Sequence, residues 1–386
     1  MRTVRVLPLA VVAGALLGAP PALAADVDVV AGGLDNPRHV TVDGTGDVYV
    51  AEAGSGGPPG DGASCFDSAE GPACVGATGA VTRVRGAAGR NPHQARVVTG
   101  LASFAPETGS NAIGPHGITD AGRRIYVTNG GPTAPLREGV VVPRWVLAQE
   151  NPVARRFGKV FRFRAGKGLN RDLKAIADPY ALESAENPDG LVGNPLVDSN
   201  PVDVAVDRGR VVIADAGANS LLRTDPDSSL LDVLALFENR PTPNPFGGPD
   251  VAMNAVPTGV IASGGSYYVS QLTGFPFPLL GANIFRVDRR NGGEPTPILQ
   301  GNFTNIIDLA MDRFGRLYVL EIFHDNLLSG SPEGALFRVT GDDVVRLDTP
   351  GVDSWPGGLD IGPGGALYIS NKATSAGGGE LLRFRP

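Results

Sequence analysis

One short pattern returns six times along this chain and restricts its fold more than any other feature. It reads VYVAE at 48–52, IYVTN at 125–129, VVIAD at 211–215, YYVSQ at 267–271, LYVLE at 317–321 and LYISN at 367–371. Each copy is a β-branched and aromatic run closed by one polar residue, as a buried strand requires. A second run lies upstream of each: PRHVTVD from 37, PHGITD from 115, PVDVAVD from 201, PTGVIAS from 257, IIDLAMD from 306 and PGGLDIG from 356. Short turns containing Gly or Asp join each pair as a hairpin. Downstream, a third run carries an arginine in register each time, at Arg83, Arg162, Arg223, Arg286, Arg338 and Arg383. Five of these are followed by a fourth apolar run, while the sixth, in GGELLRFRP, ends with the chain.

The sixth unit therefore needs a strand from elsewhere, and VDVVAGG at 27–33, directly before the first unit, has the matching character. The pattern predicts a single all-β domain over 25–386, a six-bladed β-propeller of four-stranded blades whose last blade is closed by the N-terminal strand. Such a ring leaves no sheet edge free. The 54 Gly and 33 Pro fit a chain of many short strands and turns.

Arg2 and Arg5 precede an apolar stretch from Val6 to Gly18 and the small-residue site Ala22-Leu23-Ala24. This predicts a signal peptide over 1–24, cleaved near Ala24, and a secreted or periplasmic protein. No later run approaches the ~18 apolar residues of a membrane span. Loss of the leader would take the formal net charge from -7 to about -9, which argues against a nucleic-acid partner. Cys65 and Cys74 sit close together in a Gly/Pro-rich loop, and in an oxidising compartment they predict a disulfide.

The repeat resembles the NHL-repeat and SMP-30-like six-bladed propellers over the whole chain after the leader. The long first loop with its cysteine pair, the NPRHV and GPHGI openings and the leader resemble more specifically the ScyD/ScyE family of exported bacterial propellers. The biochemical role of that family is unsettled. The SMP-30-like resemblance implies a divalent metal at the channel mouth, held by Asn or Asp just before the Gly-like position of the first strand. The matching residues here are Arg38, His116, Val202, Thr258, Ile307 and Gly357, so that ligand set is not carried over.

In a blade whose innermost strand comes first, the loops between blades and those between second and third strands open on one face. All the long connections fall there, at 53–78, 100–114, 130–157, 178–200, 238–256, 272–281 and 322–333, which makes that face the expected site. It collects Glu52, Asn129, Asp215, Gln271, Glu321 and Asn371 after the second strands, with His39, His116 and His324 in mouth-facing segments. Such a polar ring can meet a ligand, or it can bond loop backbone. His116 is the catalytic candidate, as a general base or electrophile. Asp203, Asp308, Glu321 and Glu52 form a carboxylate-rich set that suits a divalent cation such as calcium, and His116 or His324 would turn the preference toward a transition metal.

Phe246, Phe275 and Phe277 place aromatics on the same face, apt for a small aromatic or sugar-like ligand or a protein partner. The arginine repeat lies on third strands, away from the channel. Ion pairs with Asp43, Asp120, Asp207 and Asp312, or packed aliphatic stems, explain it more simply than an anion site. The functional expectation is a monomer that binds a small molecule or an extracytoplasmic protein on the loop-bearing face. The alternative is a hydrolase or lyase at the channel mouth, with His116 as base.

Overall fold

The computed structural model describes residues 26–385 except 59–63, 67–70, 132–135, 138–139, 142, 167, 194–195, 229 and 353. The expected leader lies outside the described residues. Blade one consists of Pro37–Val42, Val48–Glu52, Ala73–Arg85 and His93–Pro106, with a short extra strand, Cys65–Phe66, on its third strand. Blade two uses Pro115–Asp120, Arg124–Asn129, Lys159–Arg164 and Lys174–Ala177, and blade three Pro201–Asp207, Arg210–Asp215, Ser220–Thr224 and Asp232–Leu236. Blade four comprises Pro257–Ser263, Ser266–Gln271, Ala282–Asp288 and Thr296–Phe303, and blade five Asn305–Met311, Leu317–Phe323, Ala335–Thr340 and Asp343–Arg346. In blade six, Gly358–Ile361, Leu367–Asn371 and Gly379–Arg385 are joined by Asp26–Leu34.

That last pairing is the predicted closure. Asp26–Leu34 runs antiparallel to Gly379–Arg385, from Asp26 opposite Arg385 to Leu34 opposite Gly379. The second strands explain why the repeat shows no alternation of apolar and polar residues. Val48–Glu52 and Leu367–Asn371 are buried at every position, because each is covered by a blade on either face. The core is accordingly divided among the blade interfaces. Tyr49, Val81 and Leu101 of blade one meet Ile118, Val127 and Phe163 of blade two, and Val30, Leu34 and Leu381 of blade six meet Val40, Val48 and Val84 of blade one. At ~25 cal/mol per Å² of apolar area removed from water, such layers are the main stabilising term.

The loop-bearing face is more structured than its composition implies. The third and fourth strands of blade one run on past the blade, with Ala73 opposite Pro106 and Gly76 opposite Ser103, so parts of 53–78 and 100–114 are sheet and not loop. Cys65 and Cys74 are cross-strand partners on this extension and form the predicted disulfide. Phe66, Val75 and Phe104 pack there against Leu147 of a helix, Arg144–Glu150, and against Phe157.

Among the described residues four of the six repeat arginines make ion pairs, none of them with an expected turn aspartate. Arg83 pairs with Asp47 and Arg383 with Asp28, while Arg162 and Arg223 lie 3.9 and 3.6 Å from Asp227 and Asp232. Asp207 is taken by Arg289, Asp312 by Arg316, and Asp43 accepts from the backbone of its own turn. The turn aspartates thus serve nearer donors that the repeat alignment does not contain.

Candidate functional site at the channel mouth

The first strands of the blades line the central channel, and their register fixes which side chains meet at its mouth. Val40, Ile118, Val204, Val260, Leu309 and Leu359 each stand opposite the middle residue of the neighbouring second strand. One residue earlier come His39, Gly117, Asp203, Gly259, Asp308 and Gly358, so donor side chains and glycines alternate around the axis. In blades one to five the register slips just at this level, between Pro37 and Val40, for example. Bulges of this kind re-aim side chains.

The glycines are required by the closeness of the strands. A Cβ on Gly117 would come 2.3 Å from Asp203 Cα, and one on Gly358 would come 2.5 Å from His39 Cα. A Cβ on Gly259 would come within 3.2 Å of Asp308 Cα. Only every second blade can present a side chain here, and those that do are His39, Asp203 and Asp308.

These three residues are buried and converge. His39 Nδ1 lies 3.1 Å from Asp203 Oδ1 and 3.8 Å from Asp308 Oδ2, and one donor atom from each lies within 4.8 Å of the others. Backbone N–H groups hold the carboxylates: Val260 donates to Asp203 Oδ2 at 2.7 Å, Leu359 to Asp308 Oδ2 at 2.8 Å and Leu309 to Asp308 Oδ1 at 2.7 Å. His39 Nε2 is buried without a partner. Burial favours the neutral His39 ring, but Asp308 and Asp203 outweigh it and lift the imidazole to about 9. Burial pushes the Asp308 carboxyl up to about 7, against the pull of His39. The same residues line a channel cavity of about 280 Å³ that runs on past Thr41, Ala205 and Asp360.

His116 stands beside this cluster, its ring 4.9 Å from that of His39 in an edge-on arrangement. Its Nδ1 lies 2.8 Å from the Val202 carbonyl, to which it donates, and that leaves Nε2 as the acceptor. Burial, and then the positive charges of His39 and Arg38, hold the ring well below its ordinary pKa, so it is neutral at physiological pH.

The six residues after the second strands do not face one another as a ring. Each bonds nearby loop backbone. Glu52 accepts from Asp35 N, Asp215 from Asn200 N and Glu321 from Thr304 N, all at 2.6 to 2.8 Å. Asn129 bonds both N–H and C=O of Ala102, Gln271 accepts from Asn283 N, and Asn371 donates to the Gly351 carbonyl. Three of them thus pin the segment entering the blade's first strand. Glu321 also meets His324 Nδ1 at 2.7 Å, and it takes no part in the axial cluster, where the sequence had grouped it with Asp203 and Asp308. His39, read there only as a mouth-facing residue, occupies that place.

Phe246 and Phe275 stack at 6.1 Å, and Phe277 meets Phe275 edge-on at 6.4 Å. Phe246 is 81% exposed, so this aromatic group reaches solvent on the loop-bearing face. The bundled loops are tied by Asn326, whose Nδ2 donates to the Phe277 carbonyl.

No family model matches the chain, and no curated protein does. Solved structures do. A Bacteroides thetaiotaomicron protein of unknown function aligns with TM-score 0.53 at 11% identity, over 94% of this chain and 76% of its own. The soluble aldose sugar dehydrogenase of Escherichia coli aligns with TM-score 0.48 at 14% identity, over 94% and 99%. A streptogramin B lyase aligns with TM-score 0.46 at 12% identity, over 94% and 98%. The structural neighbours are six-bladed β-propeller proteins, and the likeness is one of fold.

Proposed function

We infer that this protein binds a small polar molecule at the channel mouth on its loop-bearing face. One observation carries the reading. The bond from His116 Nδ1 to the Val202 carbonyl fixes the tautomer, so a neutral imidazole offers the Nε2 lone pair beside a buried acid-rich cluster. A preformed acceptor on a ring 4.9 Å from that of His39, beside the buried carboxylates, suits a hydroxylated or N–H-bearing ligand. The disulfide is compatible with the extracytoplasmic location that the leader implies. The resemblance to the ScyD/ScyE family would then describe an exported, monomeric binding protein.

The neutral state of His116 also favours a second reading, a lyase or hydrolase in which Nε2 removes a proton from the bound molecule. The test is a thermal-shift screen of polar metabolites against the mature chain, repeated with His116→Ala. Binding at the mouth predicts that hits lose their shift in His116→Ala and keep it in Phe275→Ala. The reverse pattern would move the site to the exposed aromatics and overturn the reading. Turnover of a hit by the parent but not by His116→Ala would select the enzymatic form.

A further inference from the structure

We propose that His39, Asp203 and Asp308 form a site for one divalent transition-metal ion on the propeller axis. The inference is independent of the ligand reading above, since it concerns only the axial donors. Three observations support it.

The first is convergence. One imidazole nitrogen and two carboxylate oxygens, from blades one, three and five, lie within 4.8 Å of one another. The His39 Nδ1 separations of 3.1 and 3.8 Å from the two carboxylates fall inside the ~4 Å that two donors each about 2 Å from one ion can span. The second is the way the fold makes room. Gly117, Gly259 and Gly358 occupy the three alternate positions, and at each a Cβ would meet a donor residue on the following blade. The third is the support behind the carboxylates. Backbone N–H groups of Val260, Leu359 and Leu309 hold Asp203 and Asp308 in place, as outer-shell partners of metal-binding carboxylates do. Asp203 Oδ1 faces only His39 Nδ1, at 3.1 Å, and the buried His39 Nε2 has no partner.

Composition argues the same way: two buried carboxylates face a single imidazole, an acid-rich set whose charge a dication would balance.

The donor set selects the ion. Three protein donors are too few for calcium, which takes 6–8 oxygens, and the imidazole favours manganese, iron, cobalt or zinc over magnesium. This differs from the calcium-type set of Asp203, Asp308 and Glu321 expected from sequence. It also differs from the SMP-30-like arrangement, whose matching positions here hold no Asn or Asp. Three protein ligands and the adjoining cavity of about 280 Å³ would leave further coordination positions to water or to a bound molecule.

The experiment is calorimetric titration of the chelator-treated mature protein with ZnCl₂ and MnCl₂, on the parent and on Asp203→Asn, Asp308→Asn and His39→Gln, each checked for folding by its melt. The expected result is one equivalent of metal bound by the parent, and affinity weakened about 100-fold or more in each variant. His324→Ala and His93→Ala should bind as the parent does. Folded parent that takes up no stoichiometric metal, or variants that bind like the parent, would overturn the proposal. So would loss of binding in His324→Ala, which would place the ion at Glu321 on the loop face. If the axial variants fail to fold, Mn²⁺-loaded parent decides by pulsed electron paramagnetic resonance. Coupling to an imidazole nitrogen supports the site, and a spectrum without nitrogen coupling refutes it.

Discussion

Leu34→Ala tests the closure of the ring through a single side chain. Leu34 is 1% exposed at the end of Asp26–Leu34, packed among Val40, Val48, Val84 and Leu381. Truncating a buried leucine to alanine costs about 2–5 kcal/mol, the spread reflecting how far the site can collapse. At ~2.1 cal/mol/K of unfolding entropy per residue, a cooperative unit of about 360 residues loses roughly 3–7 °C of Tm for that change. Deleting 26–34 should lower Tm further, since Val30 and Ala31 are also buried and Gly379–Arg385 loses its partner. The assay is thermal unfolding by circular dichroism, with amide hydrogen exchange over 379–385. A deletion variant that melts within a degree of the parent and keeps protection in that strand would refute the argument for closure.

Gly117→Ala would set a Cβ 2.3 Å from Asp203 Cα and should cost at least about 1–3 kcal/mol in a urea melt. Gly44→Ala, where nothing lies within 4 Å, should cost less than half as much, and equal costs would sink the crowding argument. Glu183, buried beside Asp189, Asp215 and Asp198, is pushed up to about 8 from an ordinary 4.5, first by burial and then by those carboxylates. Because the folded pKa exceeds the unfolded one, its contribution is fully present below about pH 4.5 and is lost as pH rises through about 8. Glu183→Gln should therefore melt above the parent at pH 8–9, with the gap closing toward pH 5, and a gap independent of pH would contradict this. Replacing Cys65 and Cys74 by serine closes no covalent ring across their separation of 9 and should lower stability by up to about 3 kcal/mol. An unchanged melt, insensitive to reductant, would show that the bridge does not stabilise the fold.

The architecture was legible because every second strand lies between two blades and so reads as a nearly unbroken apolar run, repeated six times along the chain. The closure was legible because a strand pattern without a partner implies one elsewhere in the chain. The strand extension of blade one was not legible. Residues 73–79 contain two glycines and alternate weakly, and their pairing with 101–106 is set by contacts with Phe66, Leu147 and Phe157. At the site, His39, Asp203 and Asp308 could each be singled out, but their convergence depends on the bulges, which slip the register of the first strands. A sequence signal for it does exist. Aligning the repeats on the second strand gives His, Gly, Asp, Gly, Asp, Gly at one position, an alternation visible only when the glycines are read together with the donors. The role of Glu52, Asp215 and Glu321 could not be settled from sequence, because it depends on where the entering backbone N–H lies.

The pairing of Asp26 with Arg385 joins the two ends of the described chain. Closing so long a loop is entropically costly, and it makes this the most non-local contact in the ring. During synthesis the strand that emerges first must wait for the strand that emerges last. Until then the sixth blade has an open, apolar edge, able to recruit a strand from another chain. The length of that wait, and whatever shields residues 26–34 during it, would set how much newly made protein reaches the closed state.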